Sequence, residues 1–318
     1  MSGAAASLAL AVDAGQTEIK AALFDERGRR TVRAPGVQRL GAHAGPDDVA
    51  AAVVAAVEEL GPLPYPAPPA GIGLSGFEAA GEGELRRMDL HLRAALGLEE
   101  LAIASDGLTA LLGALGERLG AVVAAGTGSV VVARREDRYA KVDGWGSLLG
   151  DAGSGFEIGR AGLNAALRHA DGREGSAALL AAAEERFGAL SSLAQGIYGA
   201  PVPTRAVASF AVDVVRAADA GDAMAAGILE TAGLELAHSA CAALERLFAP
   251  NERAVVSYAG SVFKAGDALT EPFAREVADC RPGTPVVDPA GDSLAGATFL
   301  AEHGAGMRAE PGILWRAA

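Results

Sequence analysis

Two stretches of this chain repeat one pattern, and that pattern constrains the fold more than any other feature. Residues 8–25, LALAVDAGQTEIKAALFD, run as an apolar segment, a Gly-containing turn and a second segment. In the second, Ile19, Ala21 and Leu23 alternate with Lys20, Ala22 and Phe24. Alternation with period two signals a strand, so Asp13 to Thr17 reads as the tip of a β-hairpin. A Walker loop or a Rossmann fingerprint needs a helix after its glycines, and none follows here. Residues 119–137, LGAVVAAGTGSVVVARRED, repeat strand, Gly-rich turn, strand and charged turn. A weaker third case, RAVVSYAGSVFKAG at 253–266, runs a strand into Gly260-Ser261. Two such hairpins in successive parts of one chain predict a duplicated fold with a cleft between the halves. Glycine lets backbone N–H groups approach a phosphate closely, so the repeated turns also predict a phosphate-binding site.

The segments between the turns read as helices. PDDVAAAVVAAVEELG at 46–61 carries apolar residues at helical spacing, with Asp47 as the expected N-cap. The Pro-rich PLPYPAPPAG at 62–71 is a rigid loop leading into the short strand and turn IGLSGFE. LAIASDGLTALLGALGER is a strand followed by an amphipathic helix that starts at Asp106. Residues 221–249 predict a long Ala-rich helix, and DSLAGATFLAEHG a last one. Alternating strands and helices predict an α/β architecture. At 318 residues the chain has room for two domains, and 50% hydrophobic with 5% aromatic residues suits close-packed α/β layers.

Charge and cysteine usage exclude several classes. The net charge of −13 comes with no basic run, whereas nucleic-acid binding needs a Lys/Arg footprint. The start MSGAAASLALAVDAG lacks a basic n-region and is interrupted by Asp13, so neither a secretory signal nor a membrane span is expected, and a cytoplasmic protein is. Cys241 and Cys280 lie far apart with no CxxC, which argues against a zinc site or a disulfide framework. In LELAHSACAALERLF, Cys241 shares a helical face with Leu234, Ala237, Leu244 and Phe248, as a small core residue would.

Three places carry chemistry. Asp106 follows a strand end, where open α/β sheets put their ligands; it is either a helix cap or the base that takes a hydroxyl proton in phosphoryl transfer. Asp13 either satisfies turn N–H groups or, beside phosphates, holds Mg²⁺ through water. VDGWGSLLGDAGSGFEIGRAGLNAAL at 142–167 packs Gly144, Gly146, Gly150, Gly153, Gly155 and Gly159 around Trp145 and Asp151 before turning helical. A flexible linker would lack the interspersed Trp, Leu and Phe, so this reads as a tight loop around a small ligand. Trp145 either stacks on a sugar face or is simply packed within the loop; Asp151 either accepts hydrogen bonds from sugar hydroxyls or caps the helix from Ser154 onward.

In their order, VDAGQTEIKAALFD, SDG, AAGTGS, GWGSLLGDAGSG and YAGS resemble the N-acetylglucosamine kinase branch of the BadF/BadG/BcrA/BcrD-type ATPases, within the actin-like superfamily. The resemblance covers nearly the whole chain. It implies two actin-like ATPase (ribonuclease H-like) domains, 1–113 and 114–292, each a five-stranded mixed sheet flanked by helices, with a helix at about 293–304 packing back onto the first. It implies ATP and Mg²⁺ as cofactors, an amino sugar as substrate, phosphorylation at the 6-hydroxyl and a homodimer. Carried over residue by residue, it places Asp13, Gly15, Gln16, Thr17 and Lys20 at the phosphates, with Asp13 at the metal. Gly126, Thr127, Gly128 and Ser129 hold the phosphates from the other domain, and Gly260 and Ser261 lie beside the adenosine. Asp106 is the general base, and Ser75, Gly76, Thr127, Gly144, Trp145 and Asp151 line the sugar pocket.

Two departures bear on the sugar. The family's Asn after the first hairpin is absent from GVQRLGAHAG, where Gln38 or His43 stands in reach, and its frequent DEGS is DAGS here, with Ala152 in place of the acid. Both leave open whether the amino group is acetylated, free or accompanied by a lactyl substituent. Two other functions share the fold. One is an ATP-driven activator of a dehydratase or reductase, which holds an iron–sulfur cluster with two cysteines per subunit. The other is a non-catalytic sugar sensor. The GWG loop has no purpose in the first, and the second needs no base at Asp106.

Overall fold

The computed structural model describes residues 8–16, 18–25, 28–37 and 45–317. Thr17, Gln38 and His43 lie outside them. The chain divides into two compact units: Met1–Leu119 with Arg134–Tyr139 and Asp288–Ala318, and Gly120–Ala133 with Ala140–Val287.

The first unit opens with the hairpin β1 (Ala9–Ala14) and β2 (Glu18–Asp25), extended by β3 (Gly28–Pro35). α1 (Pro46–Glu58), β4 (Ala70–Leu74), α2 (Glu82–Leu96), β5 (Leu101–Ser105) and α3 (Asp106–Leu115) follow. β1 pairs antiparallel with β2 and parallel with β4, and β4 is parallel to β5. The central strands AGIGL and LAIAS are buried along their whole length, which is why they read as unbroken apolar runs. α1 starts at Pro46 with Gly45 as N-cap, and Asp48 accepts the Gly45 N–H at 3.1 Å. Asp47, the expected cap, instead pairs with Arg87 on α2.

The second unit holds β6 (Gly120–Ala125), most of β7 (Ser129–Arg135) and the inner part of β8 (Arg138–Asp143). After them come α4 (Gly155–Ala170), α5 (Ala177–Phe187), α6 (Leu190–Tyr198), α7 (Pro203–Ser209), α8 (Ala211–Asp219), α9 (Ala223–Glu245), β9 (Val255–Ala259) and α10 (Asp267–Cys280). β9 lies parallel beside β6, and the core gathers Val123, Ile158, Phe210, Leu236 and Phe273. α9 is the long Ala-rich helix, six residues shorter than the 221–249 expected from sequence.

The chain returns to the first unit with α11 (Ser293–His303) and β10 (Leu314–Trp315). Small residues set how closely α11 packs. A Cβ on Gly296 would lie 1.8 Å from the Thr109 carbonyl oxygen of α3, and one on Gly71 of β4 2.2 Å from that of Ala297.

Two sequence expectations need correction. Among the described residues the sheets have six and four strands, in the orders β10-β5-β4-β1-β2-β3 and β8-β7-β6-β9, not five each. β10 adds a two-residue edge to the first sheet. In the second, the stretch beside β9 makes only the single bridge Val256–Val286, because Pro285 and Pro289 deny it a longer ladder. The cysteines also meet. α9 and α10 pack together, and Cys241 and Cys280 form a disulfide across them with Cα atoms 6.7 Å apart. Cys241 is buried as expected. No helix among the described residues is long and apolar enough to cross a membrane.

Candidate active site

In the first unit the polar residues collect at the C-terminal ends of the parallel strands β1, β4 and β5, where α/β sheets place ligands. Asp13 sits one residue before the end of β1, opposite Lys20 on β2 and Gly73 on β4. Its side chain is 16% exposed, and Lys20 Nζ lies 3.9 Å from Oδ2. Burial pushes its pKa up to about 6; Lys20 works against that rise, while the charges of Asp106, Asp292 and Glu18 add to it. Gly15 turns the chain, its N–H bonding to the Glu18 carbonyl at 3.0 Å, and Gln16 is exposed at the tip.

Asp106 does not cap its helix. Ser105 does, its hydroxyl accepting the Leu108 N–H at 3.1 Å. That leaves the Asp106 carboxylate for other partners, and the buried Ser75 donates its hydroxyl to Oδ2 at 2.5 Å. A bond this short to an ionised oxygen is charge-assisted and fixes the carboxylate's orientation. Ser75 is itself tied to the hairpin, its N–H bonding to the Ala14 carbonyl at 3.1 Å. Gly76 follows with φ +83°. Asp13, Ser75 and Asp106 are thus one cluster, built from three strand ends. Sequence reasoning missed Asp292, the N-cap of α11, whose charge reaches Asp13 only because α11 packs back on β1.

In the second unit the turn 126–128 between β6 and β7 is locked from behind. Gly126 N–H bonds to the Gly128 carbonyl at 2.8 Å. The first N–H groups of α4, from Gly155 and Phe156, donate to the carbonyls of Gly126 and Thr127 at 2.8 and 3.1 Å. The hydroxyl of Ser129 donates to the Ala152 carbonyl at 2.7 Å, so this residue ties the turn to the loop. Register puts Ala124 beside Ala259, so Gly260, at φ +98°, follows next to the same turn. A Cβ there would lie 2.1 Å from the Ala125 carbonyl oxygen, which requires glycine. Ser261 is exposed.

The Gly-rich loop joins this turn. Ser154 caps α4, accepting the Glu157 N–H, so Asp151 is not the cap. Asp151 is buried with φ +60°; its Oδ1 accepts the Gly146 N–H at 3.2 Å, and its Oδ2 sits where a Cβ on Gly128 would stand, 2.5 Å away. Lys141 Nζ lies 5.6 Å from the ring centroid of the exposed Trp145 and beside Gly144. Asp143, not singled out from sequence, accepts the N–H groups of Asp151 and Ala152, each at 2.8 Å. Asp before Gly at a strand end signals a turn, but not bonds to backbone eight and nine residues further on.

Among the described residues no three acids, histidines or cysteines cluster as a metal site. Mg²⁺ requires no such cluster, since it takes one or two carboxylates and completes its shell with water and substrate phosphates. A desolvated hard-oxygen donor such as Asp13 fits it.

The chain is 32% identical over 206 residues, 64% of this chain and 67% of the other, to the N-acetylmuramic acid/N-acetylglucosamine kinase of Clostridium acetobutylicum. It superposes with a TM-score of 0.71 at 28% identity, covering 93% and 99% of the two chains, on a Chromobacterium violaceum protein provisionally described as an N-acetylglucosamine kinase. The fold alone extends to the ROK family glucokinase of Streptomyces griseus, at a TM-score of 0.59 and 19% identity over 94% and 99% of the chains. The architecture is that of the actin-like ATPase sugar kinases. Residues 10–301 match the BadF/BadG/BcrA/BcrD ATPase family, and the chain belongs to it.

Proposed function

We propose that this protein is an ATP-dependent kinase that phosphorylates the 6-hydroxyl of an amino sugar, N-acetylglucosamine or its lactyl ether N-acetylmuramic acid first among the candidates. The observation that carries this reading is the Ser75–Asp106 pair: a carboxylate at a strand end, relieved of helix capping by Ser105 and oriented by a buried hydroxyl. The family and the Clostridium relative support the choice of an amino sugar.

In this reading Asp106 accepts the proton as the sugar oxygen attacks the γ-phosphorus. The bond from that phosphorus to the β,γ-bridging oxygen breaks, and ADP leaves. Asp106 then returns its proton to solvent. Asp13 would hold Mg²⁺, whose charge offsets that of the phosphates when it is bound. The turn 126–128 presents its backbone to the phosphates, Gly260 and Ser261 lie by the adenosine, and Gly144, Trp145 and Asp151 take the sugar. The same reading makes the two units the two domains of a duplicated ATPase and carries a homodimer and a cytoplasmic location with it.

The test is ADP release across glucose, glucosamine, N-acetylglucosamine, N-acetylmannosamine and N-acetylmuramic acid. An acetylated amino sugar is expected to give the highest kcat/KM, with the product phosphorylated at O6 by NMR. No release above background with any of the five refutes the reading. Asp106→Asn isolates the base: Asn cannot take up a proton, so turnover falls by about 10²–10⁴-fold. Sugar affinity stays within a few-fold, since Ser105 still caps α3.

A further inference from the structure

The loop from Asp143 to Ala152 has a physical problem to solve. Trp145, Leu148 and Leu149 are 73, 90 and 86% exposed, so burial of its apolar side chains does not hold it in place. Its own backbone supplies one helical turn, with the N–H groups of Leu149 and Gly150 donating to the Gly146 carbonyl at 3.1 and 2.8 Å. Two carboxylates acting in series add to that closure.

Asp143 stands at the foot of the loop with φ +60°, an uncommon conformation for a residue with a side chain. Its two oxygens each take one backbone donor: Oδ1 the Asp151 N–H and Oδ2 the Ala152 N–H, both at 2.8 Å. Hydrogen bonds of this kind, to an ionised acceptor, are the stronger sort. Gly150 is glycine because a Cβ there would fall 2.3 Å from Asp143 Oδ1. With its backbone so fixed, Asp151 also takes φ +60° and turns its carboxylate inward, where Oδ1 receives the Gly146 N–H next to Trp145. Asp143 thus sets Asp151, and Asp151 sets the turn that carries Trp145.

We propose that Asp143 is the positioning residue of the sugar-recognition loop, holding Asp151 and Trp145 in the geometry that binds an amino sugar. This rests on the kinase reading for the ligand but not for the geometry. Asp143 touches no reacting atom; it acts through the backbone of Asp151 and Ala152. The turn 126–128 keeps its bonds from Gly155 and Phe156 without it, so nucleotide binding is expected to depend on Asp143 far less than sugar binding does.

The test uses the full chain in a Trp315→Phe background, where Trp145 is the single tryptophan. N-acetylglucosamine and N-acetylmuramic acid are titrated against Trp145 fluorescence, and AMPPNP binding is measured by calorimetry. Asp143→Ala is expected to weaken sugar binding about 10–100-fold, as loss of an outer-shell partner does at other sites, with AMPPNP affinity within about two-fold. Asp143→Asn keeps one acceptor oxygen and falls between, which serves as the measurement should the Ala variant fail to fold. Amide exchange at Asp151 and Ala152 should quicken about ten-fold or more in either variant. Faster exchange with unchanged sugar affinity overturns the proposal, as does equal loss of sugar and AMPPNP affinity, or a parent protein that binds neither sugar. A parent that binds sugar but never releases ADP refutes the kinase reading and leaves the role of Asp143 standing.

Discussion

The hairpins β1–β2 and β6–β7 are one design used twice, and they differ where it matters. ALAVDA and GAVVAA share one burial pattern, five residues buried and the fifth position half-buried. Each strand pairs in parallel with the next one in, β4 or β9, and each partner strand leads into a glycine at positive φ, Gly76 or Gly260. The half-buried fifth position is Asp13 in the first hairpin and Ala124 in the second. One copy therefore carries a charge that burial opposes, and the other presents backbone alone. A carboxylate held at about pKa 6 is a cost in the protein by itself and an asset once a cation arrives. The second hairpin has no such cost, and its surroundings instead go into fixing the turn with α4 and Ser129.

Making the two hairpins alike should break this division of labour. Ala124→Asp places a carboxylate at the same depth, but β7 opens Ser129-Val130-Val131-Val132 and offers nothing like Lys20. The loss of stability at pH 7.5 is expected to be on the order of 3 kcal/mol or more. The introduced acid prefers its neutral form when folded, so the loss shrinks as pH falls through its raised pKa. Urea unfolding at pH 7.5 and 4.5 measures this, and equal losses at both would contradict it.

The converse change is Asp13→Asn. The folded pKa of about 6 lies above the ordinary 3.8, so the folded state binds protons more tightly between those values. Stability therefore falls as pH rises through that window, and above it the full penalty is on the order of 3 kcal/mol, two pH units at about 1.4 kcal/mol each. Asn removes it: the variant should be more stable than the parent at pH 8 and no more stable at pH 4. Its turnover with Mg-ATP should drop about 10–100-fold, while sugar affinity holds. A variant no more stable at pH 8 would mean that Asp13 is not held against its charge.

The hairpins themselves were legible in sequence, because period-two alternation and a Gly turn are local signals. What escaped depended on distance along the chain. Asp47 and Asp106 look like caps, yet Gly45, two residues before Asp47, and Ser105, one before Asp106, cap the helices, and an offset this small decides whether a carboxylate serves as the cap. β10 pairs with a strand two hundred residues before it, and the cysteines meet across 39 residues, so no local pattern announces either. Asp143 was hidden differently: its partners are backbone N–H groups eight and nine residues on, brought back only by positive φ at Asp143 and Asp151. Composition carries no trace of that.

The smallest expected effect sharpens the comparison at the partner strands. After β4 the chain reads Ser75-Gly76; after β9 it reads Gly260-Ser261. Order matters here. Ser75 directly follows the strand, is buried and reaches Asp106, whereas the second unit has Gly260 at that place, pressed on the Ala125 carbonyl, and an exposed Ser261. Resemblance to the sugar kinases puts Ser75 in the sugar pocket, but its hydroxyl proton is directed at Asp106 Oδ2 at 2.5 Å. If Ser75 serves mainly to orient that carboxylate, Ser75→Ala should lower kcat about ten-fold and leave the KM for sugar within about two-fold. Ser261→Ala should leave the sugar KM within about two-fold, because among the described residues Ser261 donates to no carboxylate. A raised sugar KM with unchanged kcat in Ser75→Ala would reverse the assignment, making Ser75 a sugar contact and leaving Asp106 oriented by other means.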